Sequence, residues 1–207
     1  MKLHIINLEE RVDRNYEMKQ QCKKYGYQYE IIRGIRGNGS YGPGMSHCNC
    51  INHAIENNLD MILVCEDDVL LKENTISKLK EFLEILPYDW DLFLGGASGL
   101  DSCVKINEAI FKVGDFSGLH FVVYRRKSYT KVLEWLNSKK VRGFRRFGKH
   151  QHIDRFLGNM SKKDKLKVYA PFNFLADTFD SYSDVRKIQT SDASLFDKAK
   201  NYLNTII

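Results

Sequence analysis

Apolar residues along the chain follow two rhythms. Short, largely apolar runs at Lys2–Ile6, Tyr27–Arg33, Met61–Cys65, Trp90–Leu94, Leu119–Tyr124 and Leu166–Ala170 are too brief for helices and rich in β-branched or aromatic residues. They predict strands, most of them buried on both faces. Between them the spacing turns helical. Val12, Tyr16 and Met18 mark a helix over Arg11–Tyr25, and Ile76, Leu79, Phe82, Leu83 and Leu86 mark another, which begins at an Asn74 or Thr75 cap and is stopped by Pro87. Further helices are expected from Ser46, read as an N-cap, to about Asn57, from Tyr124 through Leu136, over Gln151–Met160, and from about Asp192. Glycines at 34, 37, 39, 42 and 44 predict a long surface loop excluded from the core, and Val104–Val113 reads as a small hairpin.

Strands alternating with helices predict an α/β fold in which a mostly parallel central sheet is flanked by helices. No internal repeat and no Pro- or Ser-rich linker divides the chain, so one domain over residues 1–207 is expected. Hydrophobic residues at 43%, charged residues at 28% and only three prolines exclude a disordered or collagen-like chain. Basic side chains outnumber acidic ones, 32 to 26. The resulting charge of +6 suits phosphorylated ligands, nucleic acid or an anionic surface equally. Five cysteines form an odd set behind an N-terminus with no apolar leader, which points to a reduced, cytoplasmic setting. No apolar run approaches the roughly 20 residues of a membrane span.

The most informative chemistry is Glu66-Asp67-Asp68, placed where the apolar strand Met61–Cys65 ends. Ligands of open α/β sheets bind at the carboxyl ends of the strands. With the two-residue period of a strand, Glu66 and Asp68 point the same way, and two converging carboxylates repel unless a cation lies between them. Hard oxygen donors select Mg²⁺ or Mn²⁺, which in turn bridge to phosphate. Asn7, Arg11 and Arg14 flank the first strand-to-helix junction, a second carboxyl end suited to a nucleotide, although no glycine fingerprint or Walker sequence occurs there. Ser46-His47 reads equally as a plain cap followed by a packed histidine.

In order along the chain, IINLEERVDR, MSHCNCINHAI, ILVCEDDVLL, GLHFVVYRRKSYTKVLEWL, HIDRFL and the Tyr182–Val185 segment resemble the successive motifs of glycosyltransferase family 25, the lipooligosaccharide and collagen galactosyltransferase group. The acidic tripeptide is E-D-D and not D-x-D, and the family's usual Ser before the Arg of the fourth motif is Tyr124 here. The resemblance implies a GT-A fold with one Rossmann-like nucleotide-sugar domain, its nucleotide-binding half near 1–100 and its acceptor half near 101–207. It also implies a nucleoside diphosphate sugar donor, expected to be UDP-linked, a glycan acceptor, and Mn²⁺ or Mg²⁺.

Glu66 or Asp67 would join Asp68 on the metal, to neutralise the departing diphosphate. Donor contacts are expected from Asn7, Leu8, Arg11, Arg14, Ser46, His47, Asp67 and Gly95. Inverting transfer needs a general base, for which Asp154 is the candidate, with Asp184 and His120 as further contacts to metal or sugar. The basic segment 139–150, with Arg142, Arg145, Arg146 and Lys149, would cover the diphosphate or hold an anionic acceptor. Two rival readings remain: a nucleic-acid or phosphate-binding module, which leaves the acidic triplet unexplained, and a nucleotidyltransferase, which shares the need for metal-held carboxylates.

Overall fold

The computed structural model describes residues 1–37, 40–138, 152–178, 182–183, 188–189 and 192–206. In chain order the elements that matter here are β1 (Leu3–Asn7), α1 (Val12–Tyr25), β2 (Tyr29–Arg33), α2 (Tyr41–Glu56), β3 (Met61–Glu66), β4 (Val69–Leu70) and α3 (Thr75–Ile85). They are followed by β5 (Leu92–Gly96), β6 (Gly99–Asp101), β7 (Val104–Lys105), β8 (Ile110–Lys112), β9 (Asp115–Ser117), β10 (Phe121–Arg125) and α4 (Tyr129–Asn137). The chain closes with α5 (Ile153–Lys162), β11 (Val168–Pro171), β12 (Asp177–Thr178) and α6 (Asp192–Asn204).

An eight-stranded sheet in the order β2-β1-β3-β10-β5-β11-β8-β7 forms the centre. β2, β1 and β3 pair in parallel, as do β5 and β11, while β10 runs antiparallel to both β3 and β5 and β8 runs antiparallel to its two neighbours. All strands but β10 and β8 therefore point the same way, so the expected mostly parallel sheet is present, with one reversed strand wedged into its middle. The hairpin expected over Val104–Val113 is β7 and β8.

Apolar cores fill both faces. On one side Leu3, Ile5, Leu63 and Phe93 pack with Met18 and Cys22 of α1 and Leu79 of α3. On the other, Val64, Leu92, Val122 and Val168 pack with Ile51 of α2, Trp135 of α4, Leu157 of α5 and Phe196 of α6. The strands are apolar along their length because both faces are covered. The five cysteines are buried and form no disulfide.

The glycine-rich stretch departs from its expected role. α2 already starts at Tyr41, and Gly42 and Gly44 are buried within it. A Cβ on Gly44 would lie 2.2 Å from Cη2 of Trp135, and one on Gly42 would lie 2.3 Å from the Ile35 carbonyl. These glycines let backbone approach backbone and indole, so they belong to the core and not to a surface loop. Ser46 consequently is no N-cap. It sits in the second turn, where its Oγ donates to the Gly42 carbonyl at 2.8 Å and accepts the Ile35 N–H at 2.8 Å.

Candidate active site

β3 delivers the acidic triplet to the carboxyl edge of the sheet. β3 ends at Glu66, and the turn of Asp67 and Asp68 that follows brings Asp68 back to the His120 that Glu66 faces, while Asp67 meets Asn7 and Arg14. On the Glu66 side stands His120, which immediately precedes β10, and the Glu66 N–H donates to the His120 carbonyl at 2.9 Å. Because β10 runs antiparallel beside β3, its start lies against the end of β3. His120 Nδ1 is 2.9 Å from Glu66 Oε2 and 3.4 Å from Asp68 Oδ1, and its Nε2 is 2.8 Å from Ser98 Oγ. The other oxygen of Glu66 lies 3.5 Å from His47 Nε2, and His47 Nδ1 lies 2.9 Å from the Tyr124 hydroxyl. With Tyr124 donating to Nδ1, the neutral imidazole turns Nε2–H to Glu66 and both contacts are met.

Electrostatics tie this group together. Burial opposes charge on His120, yet Glu66 and Asp68 hold its imidazole well above the usual value. Burial likewise opposes ionisation of Glu66, but His120 and His47 hold it below the usual carboxylate range.

On the other side of the turn, Asp67 accepts from Asn7 Nδ2 and from Arg14 Nη1, each at 2.7 Å. Burial pushes Asp67 up to about 6; Arg14 opposes that rise and Asp68 adds to it. Asn7, the last residue of β1, also donates to the Arg11 carbonyl at 3.1 Å, so its amide braces the start of α1 against the acidic turn.

Glu66, Asp68 and His120 each present one donor atom within 4.8 Å of the other two. Two carboxylates and an imidazole form a divalent-cation donor set, and the Nε2–H of His120 facing Ser98 is the outer hydrogen bond that orients a metal-bound histidine. These residues fit the expected metal. Glu66 and Asp68 both converge on His120, whereas Asp67 pairs with Arg14 at 2.7 Å, and Arg14 Nη1 also lies 3.7 Å from Asp68 Oδ2.

Asp154 enters from the first turn of α5. Its Oδ2 accepts the Gly118 N–H at 2.8 Å and its Oδ1 accepts the Arg155 N–H at 2.7 Å. Gly118 has φ of 80°, and a Cβ there would meet Ser98 Oγ at 2.3 Å, so only glycine turns this amide towards Asp154. The loop that carries His120 thus also holds the Asp154 carboxylate.

A cavity of about 340 Å³ joins these groups. Leu8, Arg14, Ser46, His47 and the three acids line it together with His120 and Asp154. Ser98, His152 and Leu195 also line it and escape sequence reasoning, since an isolated serine, a helix-start histidine and a helix leucine carry no pattern of their own. The other expected donor contacts are placed differently. Arg11, just before α1, pairs its guanidinium with Asp13 at 2.9 Å. Gly95, the penultimate residue of β5, lies against the ring of Phe121, which a Cβ would meet at 2.4 Å. Asp184 and the segment 139–150 lie outside the described residues.

Residues 37–102, which hold α2, the acidic triplet and β5, match the family model of glycosyltransferase family 25 (LPS biosynthesis protein). Over that stretch the chain is similar to glycosyltransferase family 25. The matched stretch is about a third of the chain. No curated protein matches the sequence.

Solved structures resemble this chain in outline. A Drosophila beta-1,4-galactosyltransferase 7 complexed with manganese, UDP-Gal and xylobiose superposes at a TM-score of 0.43 and 14% identity, covering 91% of this chain and 69% of that one. A glycosyltransferase involved in glycosylation of the major capsid of PBCV-1 gives 0.44 at 8% identity, covering 99% and 98%. The inositol-1-phosphate CTP transferase of T. maritima gives 0.48 at 11%, covering 96% of each chain. Among the described residues, no helix is long and apolar enough to cross a membrane.

Proposed function

We propose that this chain belongs to glycosyltransferase family 25 and is a metal-dependent, inverting glycosyltransferase that moves a sugar from a uridine diphosphate sugar to a glycan hydroxyl. The observation that carries the reading is the convergence of Glu66, Asp68 and His120 in a cavity that Asp154 also lines. Glu66, Asp68 and His120 would hold a divalent cation, and the imidazole moves the donor set from Mg²⁺ towards a first-row transition ion such as Mn²⁺. The cation supplies neutralisation of charge on the departing diphosphate. Arg14, anchored to Asp67, adds fixed positive charge on the same edge.

Asp154 accepts two amide hydrogens and, as a carboxylate, keeps acceptor capacity for a third partner, the acceptor hydroxyl. As that oxygen bonds to the anomeric carbon, the bond to the diphosphate breaks and the hydroxyl proton passes to Asp154. Attack from the side opposite the leaving group inverts the anomeric configuration.

The test is nucleoside diphosphate release from UDP-, GDP- and CDP-linked sugars, with and without Mn²⁺. A uridine diphosphate sugar should be consumed only with Mn²⁺, and Asp68→Asn, checked for fold by circular dichroism, should bring release to background. Pyrophosphate release from a nucleoside triphosphate without turnover of any sugar nucleotide would instead make the domain a nucleotidyltransferase. Oligonucleotide binding that weakens steeply with salt, again without turnover, would make it a binding module.

A further inference from the structure

A second cluster of metal-binding groups lies at the other end of the same strands. His4 and Glu30 are paired across β1 and β2 in the parallel register, and His53 descends onto them from the last turn of α2. One donor atom of each lies within 4.8 Å of the other two. At a rise of about 3.3 Å per residue, His4 is set back ~10 Å along β1 from Asn7, so this cluster is separate from the carboxylate edge.

We propose that His4, Glu30 and His53 form a site for a divalent cation of the zinc class, distinct from the cation site of the cavity. His4 is buried, and its Nδ1 lies 3.1 Å from the Leu63 carbonyl. A carbonyl only accepts, so Nδ1 carries the hydrogen and Nε2 presents a lone pair. That hydrogen bond is the outer contact that fixes ring and tautomer in metal-ligating histidines.

Glu30 uses Oε2 to hold Lys2 Nζ at 3.1 Å, which leaves Oε1, 3.6 Å from His53 Nε2, facing the two rings. The imidazole centroids are 5.3 Å apart and tilted by 59°. Of the converging atoms, His4 Nε2 and Glu30 Oε1 are acceptors, and His53 can supply at most one proton between them. A cation satisfies all three. On the outer side of His53, the amide of Asn57 at the helix end lies 3.4 Å from Nδ1 and gives up that contact when Nδ1 is protonated.

Two imidazoles and one carboxylate favour Zn²⁺, Co²⁺ or Ni²⁺ over Mn²⁺ or Mg²⁺, the reverse of an oxygen-rich set. Glu30 and His53 are partly exposed, which gives the ion an entry path and a position for water. Bound there, the ion clips β1 and β2 to the C-terminal end of α2, the helix whose opposite half brings Ser46 and His47 to the cavity.

The experiment titrates Zn²⁺ into the metal-free full chain while recording histidine ring nitrogen spectra and thermal unfolding. The Nε2 signals of His4 and His53 should shift together, and Tm should rise with Zn²⁺ concentration. Asp68→Asn should preserve both responses. In the Asp68→Asn background, His53→Ala, at a partly exposed surface position, should abolish both, and Glu30→Gln, which keeps the shape of the side chain, should weaken them. In that same background, ring shifts confined to His47 and His120, or a Tm rise that survives His53→Ala, would overturn the site.

Discussion

Asp154 holds the Gly118 amide and, in the reading proposed above, is also the group that takes the acceptor's proton. Holding the Gly118 amide positions the loop that carries His120, while the carboxylate still faces the cavity. Asp154→Asn retains one acceptor oxygen for Gly118 but cannot take a proton. Donor affinity should therefore stay close to native while transfer falls ~10²–10⁴-fold, the range for a lost general base. Parallel measurement of kcat and of UDP binding by calorimetry checks this, and near-native kcat would move the base elsewhere. Tyr124 makes the complementary point. A tyrosine in place of the family's serine reaches His47 across the core, and so braces Glu66 from behind.

At the level of elements, α2 depends on glycine where it crosses α4. Trp135 is fully buried, so a methyl group on Gly44 meets an indole with no room to retreat. Gly44→Ala should destabilise the domain by about 1–3 kcal/mol, the usual cost of overpacking, read as a lower urea midpoint at unchanged m value.

α6 is fastened differently. Lys200 and Lys72, from opposite directions, both pair with Asp177 on β12. Burial of Asp177 opposes ionisation, but the two lysines prevail and hold its carboxyl below the ordinary value of 3.8. The folded pKa is the lower one, so the stabilisation is present above 3.8 and is lost as pH falls through the folded value. Asp177→Asn should cost about 0.5–1 kcal/mol at neutral pH, as expected for a partly exposed pair. Urea titrations should show wild type and variant converging at pH values below 3.8. A constant gap down to that range would mean the aspartate stabilises by packing alone.

For the whole molecule, the cavity is lined by residues from Ile6 near the start to Leu195 in α6, so both halves of the chain contribute to one site. A ligand there should stabilise the domain as a unit. At 100 times its dissociation constant, a nucleotide should add about 2.7 kcal/mol. For a domain of this size that raises Tm by roughly 5–10 °C in a single calorimetric transition. Two transitions, only one of them shifted, would divide the chain into independently folding halves.

Local pattern was sufficient for the strands, the order of elements and the acidic triplet at a strand end, because alternation and burial are written residue by residue. It also expected Glu66 and Asp68 on one side from a strand's period of two, although the strand ends at Glu66 and Asp68 comes back to His120 through a turn. Other features depend on residues far apart in sequence. That β10 inserts antiparallel between β3 and β5, and so brings His120 to Glu66, follows from sheet order, which hydrophobic pattern does not encode. Likewise, glycines that look like a loop in sequence became core once Trp135 packed on them, and Arg11 turned to Asp13 while Arg14, three residues on and almost one helical turn further, faced Asp67. The sequence by itself determined which chemistry the chain carries. Only the tertiary structure decided which of those groups meet, because distances between side chains are set by packing and not by spacing along the chain.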